Sequence, residues 1–262
     1  MRNQLPGSYF TQLWLLSESG RSPEPIAVAK TQNLPVTAIV NFPNSPTATA
    51  ADRVYSLGEI TDADVYLSGY TSSLLALGLI AETAGLTGLT DEKNRLLDLA
   101  AETLPRVTVA AEEFVSQVPE KFSFDCVGTG ASIAAASQSN LLAREVCQVS
   151  ASHFEADQYM HGPMQAASKE ETTLLIYGNQ SSQLVAKAAA EHNCRALHIT
   201  KNPVAGVAGF RLPDAAPVTN AILEIQFAQI LFGLLAKREN TQIGEFSFKF
   251  PKTKLNKDQQ EI

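Results

Sequence analysis

LLSESGRSPE, residues 15–24, follows directly on an apolar run and gathers three hydroxyls, a glycine and a carboxylate within a few positions. Its flanks decide the fold class. Residues 11–16 (TQLWLL) read as a short buried strand, and residues 24–32 (EPIAVAKTQ) as a helix that tolerates Pro25 in its first turn. The stretch is therefore a strand-to-helix junction. In an open parallel sheet such junctions lie beyond the carboxyl ends of the strands, where ligands bind. Ser17, Ser19 and Ser22 offer hydroxyls, Gly20 permits a close turn, and the helix adds free N–H groups and the positive end of its dipole. Such a loop can cradle a phosphate. It can equally be a plain capping loop, with Ser22 and Glu24 closing the helix.

Working outward, residues 36–41 (VTAIVN) predict a second strand, 53–57 a short third one, and 71–84 and 91–114 two helices. After a break at 116–120 the theme restarts. Residues 124–127 predict a strand, 128–132 (GTGAS) a tight loop and 133–149 a helix. Then 172–177 is a strand, 182–191 a helix, 196–200 a strand and 221–235 a helix. Alternating strands and helices imply an α/β fold with parallel sheets covered on both faces, three layers per unit and flavodoxin-like. Two runs of similar length imply two units, 1–115 and 116–262. The stretch 246–262, polar and basic, reads as a frayed tail.

Composition narrows the function. Of the 262 residues, 45% are apolar and 18% charged, ordinary for a globular protein long enough to bury a sizeable core. A formal charge of −7 argues against nonspecific nucleic-acid binding, which relies on clustered Lys and Arg. No apolar run approaching roughly 20 residues was evident, so no membrane span is expected. No basic-then-apolar leader pattern opens the chain, and three widely spaced cysteines, Cys126, Cys147 and Cys194, read as reduced, buried thiols. The expectation is a cytoplasmic protein. His192-x-Cys194 is too sparse for a metal site, and VGTGAS departs from the dinucleotide fingerprint, so neither a metal nor a cofactor is expected.

Four segments in order carry a resemblance. SESGRSPE resembles the phosphate loop S-x-S-G-x-[ST]-x-[DE]. VGTGAS opens a long helix that ends at ARE. HGP places His161 sixteen residues after Glu145, and PKTKLNK resembles a closing P-x-x-L-x-K tail with one extra residue. Together they resemble the double SIS (sugar isomerase) family, which includes the isomerase half of glucosamine-6-phosphate synthase and phosphosugar isomerases, deaminases and deglycases. The resemblance covers nearly the whole chain.

It implies that Ser17, Glu18, Ser19 and Ser22 bind the substrate's phosphate, and that Val65 and Ser68 contribute to substrate binding. It implies Glu145 as the base that moves a proton between C1 and C2 through an enediol-type intermediate, which a carboxylate with a raised pKa can do. His161 would open the sugar ring, supplied across the interface of a homodimer, and Lys257 would sit on a tail folded over the sugar. Each has an ordinary structural alternative. Glu145 could be a helix-surface residue paired with Arg144 or Arg106, His161 could hold the turn at Gly162-Pro163, and Lys257 could be a solvated charge. Glu18, beside a phosphate, would be repulsive unless it faced solvent or met a cation such as Arg21, and a solvent-facing Glu18 is the expectation.

The resemblance implies a phosphosugar isomerase or deaminase acting on a hexose or amino-hexose 6-phosphate in amino sugar metabolism. A non-catalytic sugar-phosphate sensor is the alternative. The expected partners are the ligand and a second copy of the chain, not nucleic acid or a membrane. Three departures bear on this. No strand with a G-x-G-[ST]-S loop precedes Leu13, so the first unit is expected to lack its opening βα element, or Met1 to be an internal start. The basic residue of a V-A-[ST]-T-K-like segment is absent from 65–71 (VYLSGYT). Leu142 stands where the synthase has a Lys, three positions before the base.

Overall fold

A computed structural model describes residues 11–31, 33–62, 65–85, 89–168, 170–248 and 254. They divide into two compact units, Met1–Leu77 with Phe246–Ile262, and Gly78–Glu245.

In the first unit, β1 (Leu13–Ser17) leads through the SESG loop into α1 (Pro23–Thr31), and β2 (Val36–Val40) into the short α2 (Pro46–Thr49). Ser45 caps α2, accepting from Ala48 N. Strand β3 (Arg53–Ser56) follows, and α3 (Ser68–Thr83) continues the chain out of the unit. The sheet order is β1-β2-β3, all parallel. Strand β2 is buried throughout, as a central parallel strand should be, and its β-branched residues suit that place. Leu15, Ala38, Val40, Ala29 and Ala48 form a small core on the α1–α2 side.

The second unit begins with the end of α3 and with α4 (Leu89–Val115), followed by β4 (Ser123–Gly128), a single 3-10 turn (Gly130–Ser132) and α5 (Ile133–Glu145). Then come β5 (Ala151–Glu155), α6 (Ala156–Met160), β6 (Thr172–Tyr177), α7 (Ser181–Glu191), β7 (Ala196–Thr200), β8 (Ala208–Arg211) and α8 (Pro217–Glu239). The five strands are parallel in the order β5-β4-β6-β7-β8. Helices α6 and α7 cover one face through Val127, Tyr159, Leu174, Ile176 and Val185. Helices α5 and α8 cover the other, where Phe124 meets Phe232 edge-on at 5.2 Å. The result is the three-layer α/β arrangement expected.

Several expectations shift. The sequence divided the chain near residue 115, whereas α4 groups with the second unit because it packs on α8. Thr103 and Gln226 pin that contact, Thr103 Oγ1 donating to Gln226 Oε1 (3.0 Å) and Gln226 Nε2 to the Ala100 carbonyl (2.9 Å). The helix expected over 133–149 ends at Glu145. Gln148 takes a left-handed φ of 56° and the chain turns into β5. Helix α8 is, by length and composition, apolar enough to cross a membrane, contrary to the sequence reading. Its apolar residues form the core, among them Ile222, Leu223, Phe227, Leu231, Phe232 and Leu235. All three cysteines are free, but Cys194 is half-buried rather than buried.

Candidate functional site

The opening loop turns tightly at the end of β1. Gly20 N donates to the Ser17 carbonyl (3.1 Å), and Arg21 N donates to Ser19 Oγ (3.3 Å). Gly20 has φ +62°, and a Cβ there would come within 2.0 Å of Ser45 Oγ, so only glycine fits. The Gly20 carbonyl accepts from Thr47 N (2.9 Å), which ties the loop to α2.

Beyond the carboxyl ends of β1, β2 and β3 lies a cavity of about 560 Å3. Glu18, Ser19 and Arg21 line it from the loop, Ser45 from the α2 cap, Glu59 and Asp62 from the segment after β3, and Tyr66 and Lys254 complete it. Lys254 Nζ sits 4.7 Å from the Tyr66 ring centroid and contacts the Tyr66 hydroxyl.

Asn41, 1% exposed, joins the two loops that shape this cavity. Its Nδ2 donates to Glu18 Oε1 (2.9 Å) and to the Ile60 carbonyl (2.8 Å), its Oδ1 accepts from Ile60 N (2.8 Å), and its own N–H donates to the Glu18 carbonyl (2.9 Å). Asp62 caps the start of α3, accepting from Ser68 N and Oγ (both 3.1 Å) and Gly69 N (2.6 Å). Glu18 also lies against that helix start, where a Cβ on Gly69 would come within 2.6 Å of Glu18 Cγ.

The solvent-facing Glu18 expected from sequence is therefore corrected: Glu18 is half-buried, hydrogen-bonded and part of the cavity wall. Burial raises its carboxyl above the ordinary carboxylate value. The Asn41 hydrogen bond opposes the rise, Asp62 adds to it and Lys254 opposes it. A carboxyl so placed can accept a donor from a ligand or exchange a proton with it.

The other sequence candidates lie as follows. Ser17 ends β1 and is buried, and Ser22 is half-buried just before α1. Val65 is 2% exposed, and the Ser68 hydroxyl is spent on Asp62. None of these four is among the described residues lining the cavity. Lys257 lies outside the described residues; the described lysine at the cavity is Lys254. Asn41, Asp62 and Lys254 were not assigned a role from sequence, and Arg21 only as a cation that Glu18 could meet. Only the Asn at the end of an apolar strand gave a signal, as a short polar side chain at the carboxyl end of β2.

In the second unit, Glu145 is the last residue of α5 and half-buried. The two arginines considered as its partners make these contacts. Arg144 donates to the Ala151 carbonyl (3.0 and 2.6 Å), and Arg106 to the Arg211 carbonyl (2.9 Å) while stacking over Phe210. Leu142 is 1% exposed, a core position on which an ammonium would be stranded. His161 caps the end of α6, exposed, with its N–H donating to the Gln158 carbonyl (3.2 Å). Below it, Tyr159 is fully buried and donates to Asp125 Oδ2 (2.7 Å). Among the described residues no group of three or more His, Cys, Asp or Glu is placed to hold a metal.

No family model matches the sequence, and no curated protein matches it. The three-dimensional comparison is decisive. The chain superposes on the C-terminal domain of glucosamine-fructose-6-phosphate aminotransferase from Francisella tularensis with a TM-score of 0.76 at 15% identity, over 90% of this chain and 74% of that one. The chain shares the SIS-like three-layer α/β fold of that domain. The tagatose-6-phosphate ketose/aldose isomerase of Escherichia coli aligns at a TM-score of 0.69 and 16% identity, over 89% of this chain and 70% of that one. The glucosamine-6-phosphate deaminase of Thermotoga maritima aligns at 0.67 and 17%, over 90% and 73%. These SIS structures share the architecture of this chain, and their names describe phosphosugar chemistry in each of them.

Proposed function

We propose that this SIS chain binds a hexose or amino-hexose 6-phosphate and acts on it as an isomerase or deaminase, moving a proton between C1 and C2. The observation that carries the reading is the cavity at the carboxyl ends of β1–β3. Ser19, Arg21 and Lys254 give it a hydroxyl and two cations suited to a phosphate, and Glu18 gives it a carboxyl suited to a sugar hydroxyl or amine. The SIS structures it resembles include a phosphosugar isomerase and a deaminase. Glu145 is the base and His161 the ring-opening group in this reading, with His161 supplied by a second copy of the chain. Lys257 belongs to the closing tail.

The test is a product assay on glucosamine 6-phosphate and hexose 6-phosphates. Glu145→Gln abolishes ammonia release or ketose formation and leaves ligand binding intact. Unchanged turnover in that variant removes Glu145 from the mechanism.

One observation favours the second reading, a sugar-phosphate sensor without turnover. The position three residues before Glu145 is a buried leucine, so no ammonium stands there to stabilise an enediolate. A sensor gives ligand-dependent stabilisation and no product.

A further inference from the structure

The second sheet also ends in a cavity, of about 270 Å3, where the loops after β4, β6 and β7 meet the start of α8. Its position suggests an anion cradle, yet its hydroxyls and its lysine are engaged. The Ser132 hydroxyl donates to Glu224 Oε1 (2.9 Å), the Thr129 hydroxyl is paired with Ser182 Oγ (2.8 Å), and the Thr200 hydroxyl donates to Asn179 Oδ1 (2.7 Å). Lys201 is held by Asp214. Ser132 packs closely on Gly178, where a Cβ would come within 2.7 Å of Ser132 Oγ.

What the cavity wall leaves unpaired is of the opposite kind. Glu224, 1% exposed and two turns into α8, has no hydrogen-bond partner for Oε2. Asn220, one turn before it on the same face, donates its amide to the Ala215 carbonyl (2.9 Å) but leaves its buried Oδ1 without a partner. Both residues line the cavity. Two unpaired buried oxygens, one of them on a carboxyl that burial keeps protonated up to about pH 8, call for a ligand rich in N–H donors once that proton leaves, since an unmatched buried acceptor is costly. A phosphate would bring more acceptors against a carboxyl. The volume lies below the roughly 300–1,000 Å3 of drug-sized pockets, so the group taken up is small.

From these contacts we infer that the mouth of the second sheet, walled by Glu224 and Asn220, is a binding site for a small primary ammonium group, either the ammonium ion or a compact alkylamine. Binding hands N–H donors to the two orphaned oxygens and places a cation beside the carboxyl, favouring its ionised form. The site is separate from the cavity at the first sheet and does not depend on the reading given for it.

The test is isothermal titration of the full chain at constant ionic strength with ammonium chloride and methylammonium chloride, with potassium chloride and inorganic phosphate as comparisons. Both amines bind one per chain, and Glu224→Gln, nearly isosteric and permanently neutral, weakens them at least tenfold. The proposal is overturned by the absence of amine binding, by unchanged affinity in Glu224→Gln, by potassium binding as well as ammonium, or by phosphate uptake that Glu224→Gln removes. Should Glu224→Gln not fold, Asn220→Ala at the half-exposed rim serves instead. A loss of amine affinity there supports the site, and an unchanged affinity overturns it.

Discussion

Gly20 sets the geometry of the SESG loop because its left-handed backbone and its contact with Ser45 leave no space for a side chain. Gly20→Ala therefore costs at least about 1–2 kcal/mol in urea unfolding, the ordinary penalty of a left-handed L-residue, and also weakens phosphosugar binding. Asn41 acts on the same cavity from below. Its side chain makes three hydrogen bonds while almost fully buried, so Asn41→Ala leaves several polar groups unpaired and destabilises the chain by about 3 kcal/mol. Glu224 gives a pH signature. Burial pushes its carboxyl from the ordinary 4.5 to about 8, so the folded state holds a proton that the unfolded state releases. Stability from this group is thus lost as pH rises from about 4.5 to about 8. Unfolding midpoints measured across that window fall for the wild type and fall less steeply for Glu224→Gln.

At the scale of elements, the strands were legible where apolar or β-branched residues run together. β6 and β7 match their expected ranges because TTLLIY is a continuous apolar or β-branched run and ALHIT is one broken only by the buried His198, the pattern of a central parallel strand. β5 and β8 are edge strands that lack the apolar run of β1 or the Val54-Tyr55 pair of β3, and they were missed for that reason. ASHFE and AGFR carry polar or small residues, and several of them face solvent. The candidate site was legible in the same uneven way. The serines and Gly20 form a local motif readable within a few residues, whereas Asn41, Asp62 and Lys254 meet them only through tertiary folding. Glu18 was misread because local sequence carries no sign of the Asn41 amide waiting across the sheet. Helix α5 offers a test of packing against chemistry. Leu142 is a core residue, so Leu142→Ala costs about 2–5 kcal/mol in denaturant unfolding. Leu142→Lys, which would introduce the synthase-like residue, gives no stable protein in the same unfolding measurement.

For the whole molecule, the central claim is that the SESG loop and the cavity at the first sheet grip a phosphorylated sugar. The SIS fold is shared with proteins named for such chemistry, but at 14–18% identity the fold alone does not choose the ligand. The proposal rests on the residues of the cavity wall, and they can be tested without knowing the reaction. The most direct measurement is a thermal-shift titration of the full chain with glucosamine 6-phosphate and fructose 6-phosphate, alongside the unphosphorylated sugars. At least one phosphosugar raises the melting temperature in a saturable way, its unphosphorylated form does not, and Ser19→Ala and Arg21→Ala each weaken the response at least tenfold. No shift with any phosphosugar, or an equal shift in both variants, contradicts it.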